Sequence, residues 1–152
     1  MELDKIDKHI LNILQVDSKI TNAALAQKIN LSPAATLERV KKLEQYAIIT
    51  HYTAQIDYPK LGFGLHLMVA IRLQKITADH IKLFKLTINK IPSIVTCYQI
   101  IGDFDFILMV YVRDLSSYQT MVVEKLHSLP MVDYVKTLSV SQLLKNKPLY
   151  LE

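Results

Sequence analysis

The chain has 152 residues, 51% hydrophobic and 21% charged, with 18 lysines and arginines against 14 aspartates and glutamates for a net charge of +4. This composition buries a core across one ordinary domain or two small ones, which excludes a disordered polypeptide, and the single Cys97 excludes an intrachain disulfide or a cysteine-only metal site. Apolar runs such as 106–112 are strand-sized and too short to span a bilayer, and the acidic start at Glu2 and Asp4 does not read as a signal peptide, so a cytoplasmic protein without membrane contact is expected by elimination.

In chain order, Asp4 can cap a first helix with Ile6, Ile10, Ile13 and Leu14 on one apolar face. Asp17-Ser18-Lys19 breaks it. Thr21 can cap a short second helix that turns Leu25, Ala26 and Ile29 inward, and Asn30, a residue tolerant of left-handed backbone, ends it. Ser32 is a favoured N-cap and Pro33 a favoured first residue for a third helix running to about Gln45. Two helices joined at Asn30-Leu31, with small Ala26 at the crossing, have helix-turn-helix spacing.

The third helix has two faces. Thr36, Val40, Leu43 and Ala47 are expected to pack inward; Ala35, Glu38, Arg39 and Lys42 lie opposite. A helix in the major groove needs small residues near its start for close approach, a long donor for a base edge, and lysines toward phosphates. Ser32, Ala34, Ala35, Glu38, Arg39, Lys41 and Lys42 fit that need, with Arg39 as the base reader. Spacing alone leaves open a plain amphipathic helix with a solvated charged face. Overall charge does not decide, because the first sixty residues carry 8 basic against 7 acidic side chains and the remainder 10 against 7.

Residues 48–57 alternate as a strand, closed by Tyr58-Pro59-Lys60-Leu61-Gly62. The expected division is therefore a helix-turn-helix domain with linker strand (1–60; linker 48–60) and a second domain (61–152). Leu65, Leu67, Val69, Ile71 and Leu73 alternate as a strand. Thr77 caps a helix with Ile81, Phe84, Ile88 and Ile91 on one face. Ile94, Thr96, Tyr98 and Ile100 alternate, Gly102-Asp103 turns the chain, and Phe104 to Val112 alternate again. Asp114 caps a second helix through Tyr118, Val122 and Leu126, and 135–140 reads as the last strand. The order β-α-β-β-α-β predicts an α+β, ferredoxin-like domain: a four-stranded antiparallel sheet with both helices on one face. The other face, with Cys97, Met109 and Tyr111, would lie bare in a monomer, so a homodimer joined sheet to sheet is expected.

Leu3-Asp4 with Asp7 and Ile10-Leu11, Leu25-Ala26, Leu31-Ser32-Pro33, Arg39-Val40 with Leu43-Glu44, Ile49 with Tyr52-Thr53-Ala54, and Gly102-Asp103-Phe104-Asp105 occur in one order along nearly the whole chain. In these motifs the sequence resembles the leucine-responsive regulatory protein / AsnC (feast/famine) family of transcription regulators. The resemblance implies specific binding of double-stranded DNA at a palindromic promoter site, and dimers that assemble further, as into octamers. It also implies a small amino-acid effector bound between subunits in the ferredoxin-like effector-binding and oligomerisation domain. The implied effector residues are Gly102, Asp103 and Asp105 at the turn and Thr137 and Ser139 on the last strand; the residues of the turn alone favour a hairpin with solvated aspartates, and Thr137 and Ser139 alone read equally as polar strand positions facing solvent. Two departures stand out: Asn30 replaces a usual glycine, and no glycine follows the third helix near Tyr46-Ala47.

No enzyme motif is present, and His9, His51, His66, His80 and His127 lack metal spacing, so no catalytic residue, metal or cofactor is expected. The alternative is a tetrapyrrole (haem-precursor) decarboxylase-like relative of the same fold, or an effector-sensing subunit that acts on another regulator. Arg39, Lys41 and Lys42 on the third helix favour DNA.

Overall fold

In the computed structural model, which describes residues 2–152, the chain forms two compact units. The first comprises the residues up to Gln55 together with Leu144–Glu152; the second is Ile56–Leu143. The last nine residues thus belong with the helix-turn-helix, where 61–152 was expected to be one domain.

The first unit holds α1 (Lys5–Leu14), α2 (Asn22–Lys28) and α3 (Pro33–Gln45). Asp4 caps α1 in a reciprocal box with Asp7, Thr21 caps α2 at the amide of Ala24, and Ser32 caps α3 at the amide of Ala35. Ile10, Leu11, Leu25, Ile29 and Leu43 form the buried core, and Val40 is half-buried against it. Both α2 and α3 end in a left-handed residue that lets the next amides reach back. Asn30, at φ 55°, brings the Leu31 amide 3.0 Å from the Ala26 carbonyl. Ala47, at φ 53°, brings the Ile48 amide 2.9 Å from the Leu43 carbonyl. Ala47 is therefore not an inward helical position: it lies beyond α3, is exposed, and does the work of the glycine that the sequence lacks there.

The expected linker strand is also corrected. Residues 50–57 take no regular structure, because alternation becomes a strand only when a neighbour supplies hydrogen bonds, and no strand of the described residues pairs with them.

The second unit runs β1 (Leu65–Leu73), α4 (Ala78–Ile88), β2 (Ile94–Gln99), β3 (Phe106–Val112), α5 (Leu115–Tyr118), a π-helical turn (Gln119–Val123), α6 (Glu124–His127) and β4 (Val132–Ser139). The sheet order is β2-β3-β1-β4 with antiparallel neighbours, the ferredoxin-like arrangement. Leu67, Val69, Ile71 and Leu73 of β1 and Phe106, Leu108, Val110 and Val112 of β3 pack on Phe84, Ile88, Tyr118, Val122 and Leu126 of the helical layer. At the centre the Phe84 and Phe106 rings stack 4.5 Å apart. His66, Met68, Ala70, Ile107, Met109, Tyr111, Tyr98 and Leu138 occupy the opposite sheet face.

Cys97 does not join that face. A bulge between Ile94 and Thr96 inserts an extra residue, so the strict alternation 94, 96, 98 fails. Ile94 and Cys97 turn toward the helices, where Cys97 is half-buried against the core and burial pushes its thiol pKa up.

A candidate DNA-reading surface and a candidate ligand site

The exposed side of α3 is fixed by what its other side does. The Thr36 hydroxyl donates to the Ser32 carbonyl at 3.0 Å, Leu43 is fully buried, and the Asn22 side-chain amide donates to the Pro33 carbonyl at 2.8 Å, tying α2 to the start of α3. Ala34, Ala35, Glu38, Lys41 and Lys42 are left exposed on one continuous surface. Ser32 is exposed, but its hydroxyl already accepts the Ala35 amide at 3.2 Å. Lys41 lies 3.5 Å from Glu38, a solvated pair of little strength.

Arg39, expected to be free for a base edge, is engaged within the chain. One guanidinium nitrogen donates to Asp4 Oδ2 at 2.8 Å and to Asp7 Oδ1 at 2.7 Å. Asp7 is buried, so its charge is compensated by this contact. The Asp7 amide and then the Arg39 side chain hold the Asp4 carboxyl below its ordinary range, while the two carboxylates raise the Arg39 pKa further. Arg39 thus fastens α3 to the start of α1. The signal was present in the sequence as Asp4, read only as the cap of α1, and Asp7, read only as part of a family motif.

The proposed effector residues do not meet within one chain. The Gly102–Asp105 turn joins β2 to β3. Gly102 has φ 151° and space for a Cβ, so the backbone angle is what favours glycine there. Asp103 is exposed, whereas Asp105 closes the turn onto β1: its carboxylate accepts the Leu73 amide at 2.6 Å and its amide donates to the Ile71 carbonyl at 2.8 Å. Ser139 pairs with Leu67 and Thr137 with Val69, while Phe106 beside the turn pairs with Ile71. Leu67 and Ile71 are about 13 Å apart along β1, which separates Ser139 from the turn. Thr137 hydrogen-bonds Tyr118, whose burial raises its phenol pKa; Tyr118 is the partner that sequence reasoning took only as a core residue.

No cluster of metal-ligating side chains occurs among the described residues, and no helix is long and apolar enough to cross a membrane.

These two surfaces, a capped recognition helix and a ferredoxin-like ligand domain, define a regulator that joins a DNA-binding unit to an effector-binding one. Residues 3–44 match the AsnC-type helix-turn-helix domain and residues 66–150 the Lrp/AsnC ligand binding domain, and the chain belongs to the Lrp/AsnC family of transcription regulators. It is 37% identical over 144 residues to the leucine-responsive regulatory proteins of Escherichia coli K12 and Salmonella typhimurium, covering 95% of this chain and 88% of theirs. Among solved structures, a transcriptional regulator of Neisseria meningitidis in complex with L-methionine superposes with a TM-score of 0.92 at 27% identity, covering 99% of this chain and 97% of that one. Bacillus subtilis LrpC superposes with a TM-score of 0.85 at 29% identity, covering 97% and 100%.

Proposed function

We propose that α3 reads a roughly palindromic site in double-stranded DNA, often a promoter, with Ala34 and Ala35 against the bases, Glu38 at a base edge, and Lys41 and Lys42 against phosphates. The observation that carries this reading is the exposure of these five side chains on one helix face whose opposite side is capped, buried and clamped. Ser32 serves it as a cap, and Arg39 as the clamp rather than the base reader.

Two copies of α3 are presented by a homodimer joined through the outer sheet faces, and dimers assemble further, as into an octamer. Support comes from the apolar character of that face, where Tyr98 is 57% and Leu138 46% exposed. The effector is a free amino acid. The matched ligand-binding domain and the methionine complex of the Neisseria regulator support this. The separation of Ser139 from the Gly102–Asp105 turn favours a pocket completed by a neighbouring copy. Within it, Asp103 holds the α-ammonium, because the Asp105 carboxylate is already engaged. The protein acts in the cytoplasm by binding, without catalysis and without a cofactor.

A thermal-shift panel of the twenty amino acids tests the effector. At least one is expected to raise the melting temperature, and Asp103→Ala to abolish that rise. No rise with any amino acid, or an equal rise in Asp103→Ala, contradicts the pocket.

A further inference from the structure

One segment of the first unit plays no part in the reading surface. Residues 149–152 run beside α1, and three side chains on one face of that helix bind their main chain. The Asn12 amide does so twice: Nδ2 donates to the Leu151 carbonyl at 2.9 Å, and Oδ1 accepts the Leu151 amide at 2.9 Å. Gln15 Nε2 donates to the Leu149 carbonyl at 3.2 Å, and Lys8 Nζ donates to the Glu152 carbonyl. These contacts recognise the backbone, not its side chains. The exception is Leu151, whose side chain packs against the apolar core of Ile10, Leu11 and Leu43, while Leu149 and Tyr150 remain exposed.

Lys8, Asn12 and Gln15 fall at i, i+4 and i+7, so a single helical stripe forms the receptor. The same helix carries Asp7, which fastens Arg39 of α3. Whatever steadies α1 therefore steadies the reading helix.

We propose that residues 149–152 are a strap which, docked in cis on the Lys8–Asn12–Gln15 stripe, holds the helix-turn-helix in its DNA-reading geometry. The role in reading rests on the proposal that α3 binds DNA; the docking itself does not. Leu151 supplies the apolar anchor, and Asn12 fixes the register by satisfying both the amide and the carbonyl of one residue. Residues 140–148 lead to this strap from β4, so the strand that carries Thr137 and Ser139 continues into a segment gripping the reading unit.

Hydrogen exchange and DNA affinity of the full-length Leu151→Asp and Asn12→Ala variants test the proposal, with a 30-base-pair random-sequence duplex at low salt as probe. Exchange at amides 10–14 is expected to quicken about tenfold in both variants, with β1 and β3 unchanged, and affinity for the duplex to fall several-fold. Protection of amides 10–14 at the wild-type level in Leu151→Asp overturns the strap. If Asn12→Ala fails to fold, a chain ending at Pro148 gives the same readout with α1 intact. Should the wild type bind no duplex while the variants still lose protection in α1, DNA reading fails and the docking stands. A short bis-maleimide on Gln15→Cys/Tyr150→Cys in a Cys97→Ser background is expected to link residues within one chain; a product of twice the chain mass overturns docking in cis.

Discussion

A guanidinium nitrogen of Arg39 lies 2.7 Å from the buried carboxylate of Asp7, and 2.8 Å from Asp4. The contact joins the middle of the third helix to the start of the first. It changes what substitution of this arginine means.

Arg39→Ala removes the partner of a buried charge. The helix-turn-helix is expected to lose about 1.5–3 kcal/mol, the range for a hydrogen bond to a charged group. DNA affinity should fall for all sequences alike, and Asp7→Ala should resemble Arg39→Ala. Denaturant unfolding and binding to a set of single-base operator variants check this. A stable Arg39→Ala protein that loses discrimination at one base pair would return Arg39 to the role of base reader.

Ala47 holds a left-handed angle that costs an L-residue about 1–2 kcal/mol and costs glycine far less. Part of the gain on substitution is offset by the entropy of a more flexible unfolded chain. Ala47→Gly is therefore expected to stabilise the first unit by about 1 kcal/mol without altering its contacts. Ala47→Val should destabilise it. The urea midpoint checks both, and a lower midpoint for Ala47→Gly contradicts the account.

His66 stacks on Tyr111 at 4.2 Å on the outer sheet face, and its buried Nε2 has no hydrogen-bond partner. Burial lowers its pKa from the ordinary 6.5. Between the folded and unfolded pKa values the unfolded chain binds the proton more readily, so this contribution is complete above about 6.5 and is lost as pH falls from there through the lower folded pKa. The second unit should melt at a lower temperature at pH 5 than at pH 7.5. The difference should be smaller in His66→Phe; an unchanged difference contradicts the assignment.

Much of the fold was legible because the caps and periods are local. Asp4, Thr21, Ser32, Thr77 and Asp114 each cap the helix expected of them, and the β-α-β-β-α-β order follows from alternation and helical spacing. What was not legible depends on partners distant in sequence. The alternation of 48–57 says nothing about whether a neighbouring strand exists. The bulge in β2 reverses Cys97 without any change in composition. The docking of Leu151 on Asn12 joins residues 139 apart, beyond any local pattern. On α3, the exposure of Ala34, Ala35, Glu38, Lys41 and Lys42 follows from helical spacing, but long basic side chains look alike in a helical pattern. Only the carboxylates facing Arg39 separate it from Lys41 and Lys42. The effector residues were named from resemblance, and the sheet register is what divides them into two groups.

Specific DNA reading by paired copies of α3 is the centre of this account, and selection of bound duplexes from a random-sequence library tests it most directly. Wild-type protein is expected to enrich a two-fold symmetric motif, with half-sites about 10 base pairs apart or a multiple of that. Lys41→Ala/Lys42→Ala should weaken binding and flatten its salt dependence while leaving the motif unchanged. Recovery of the unselected library, with no motif above input, would contradict it.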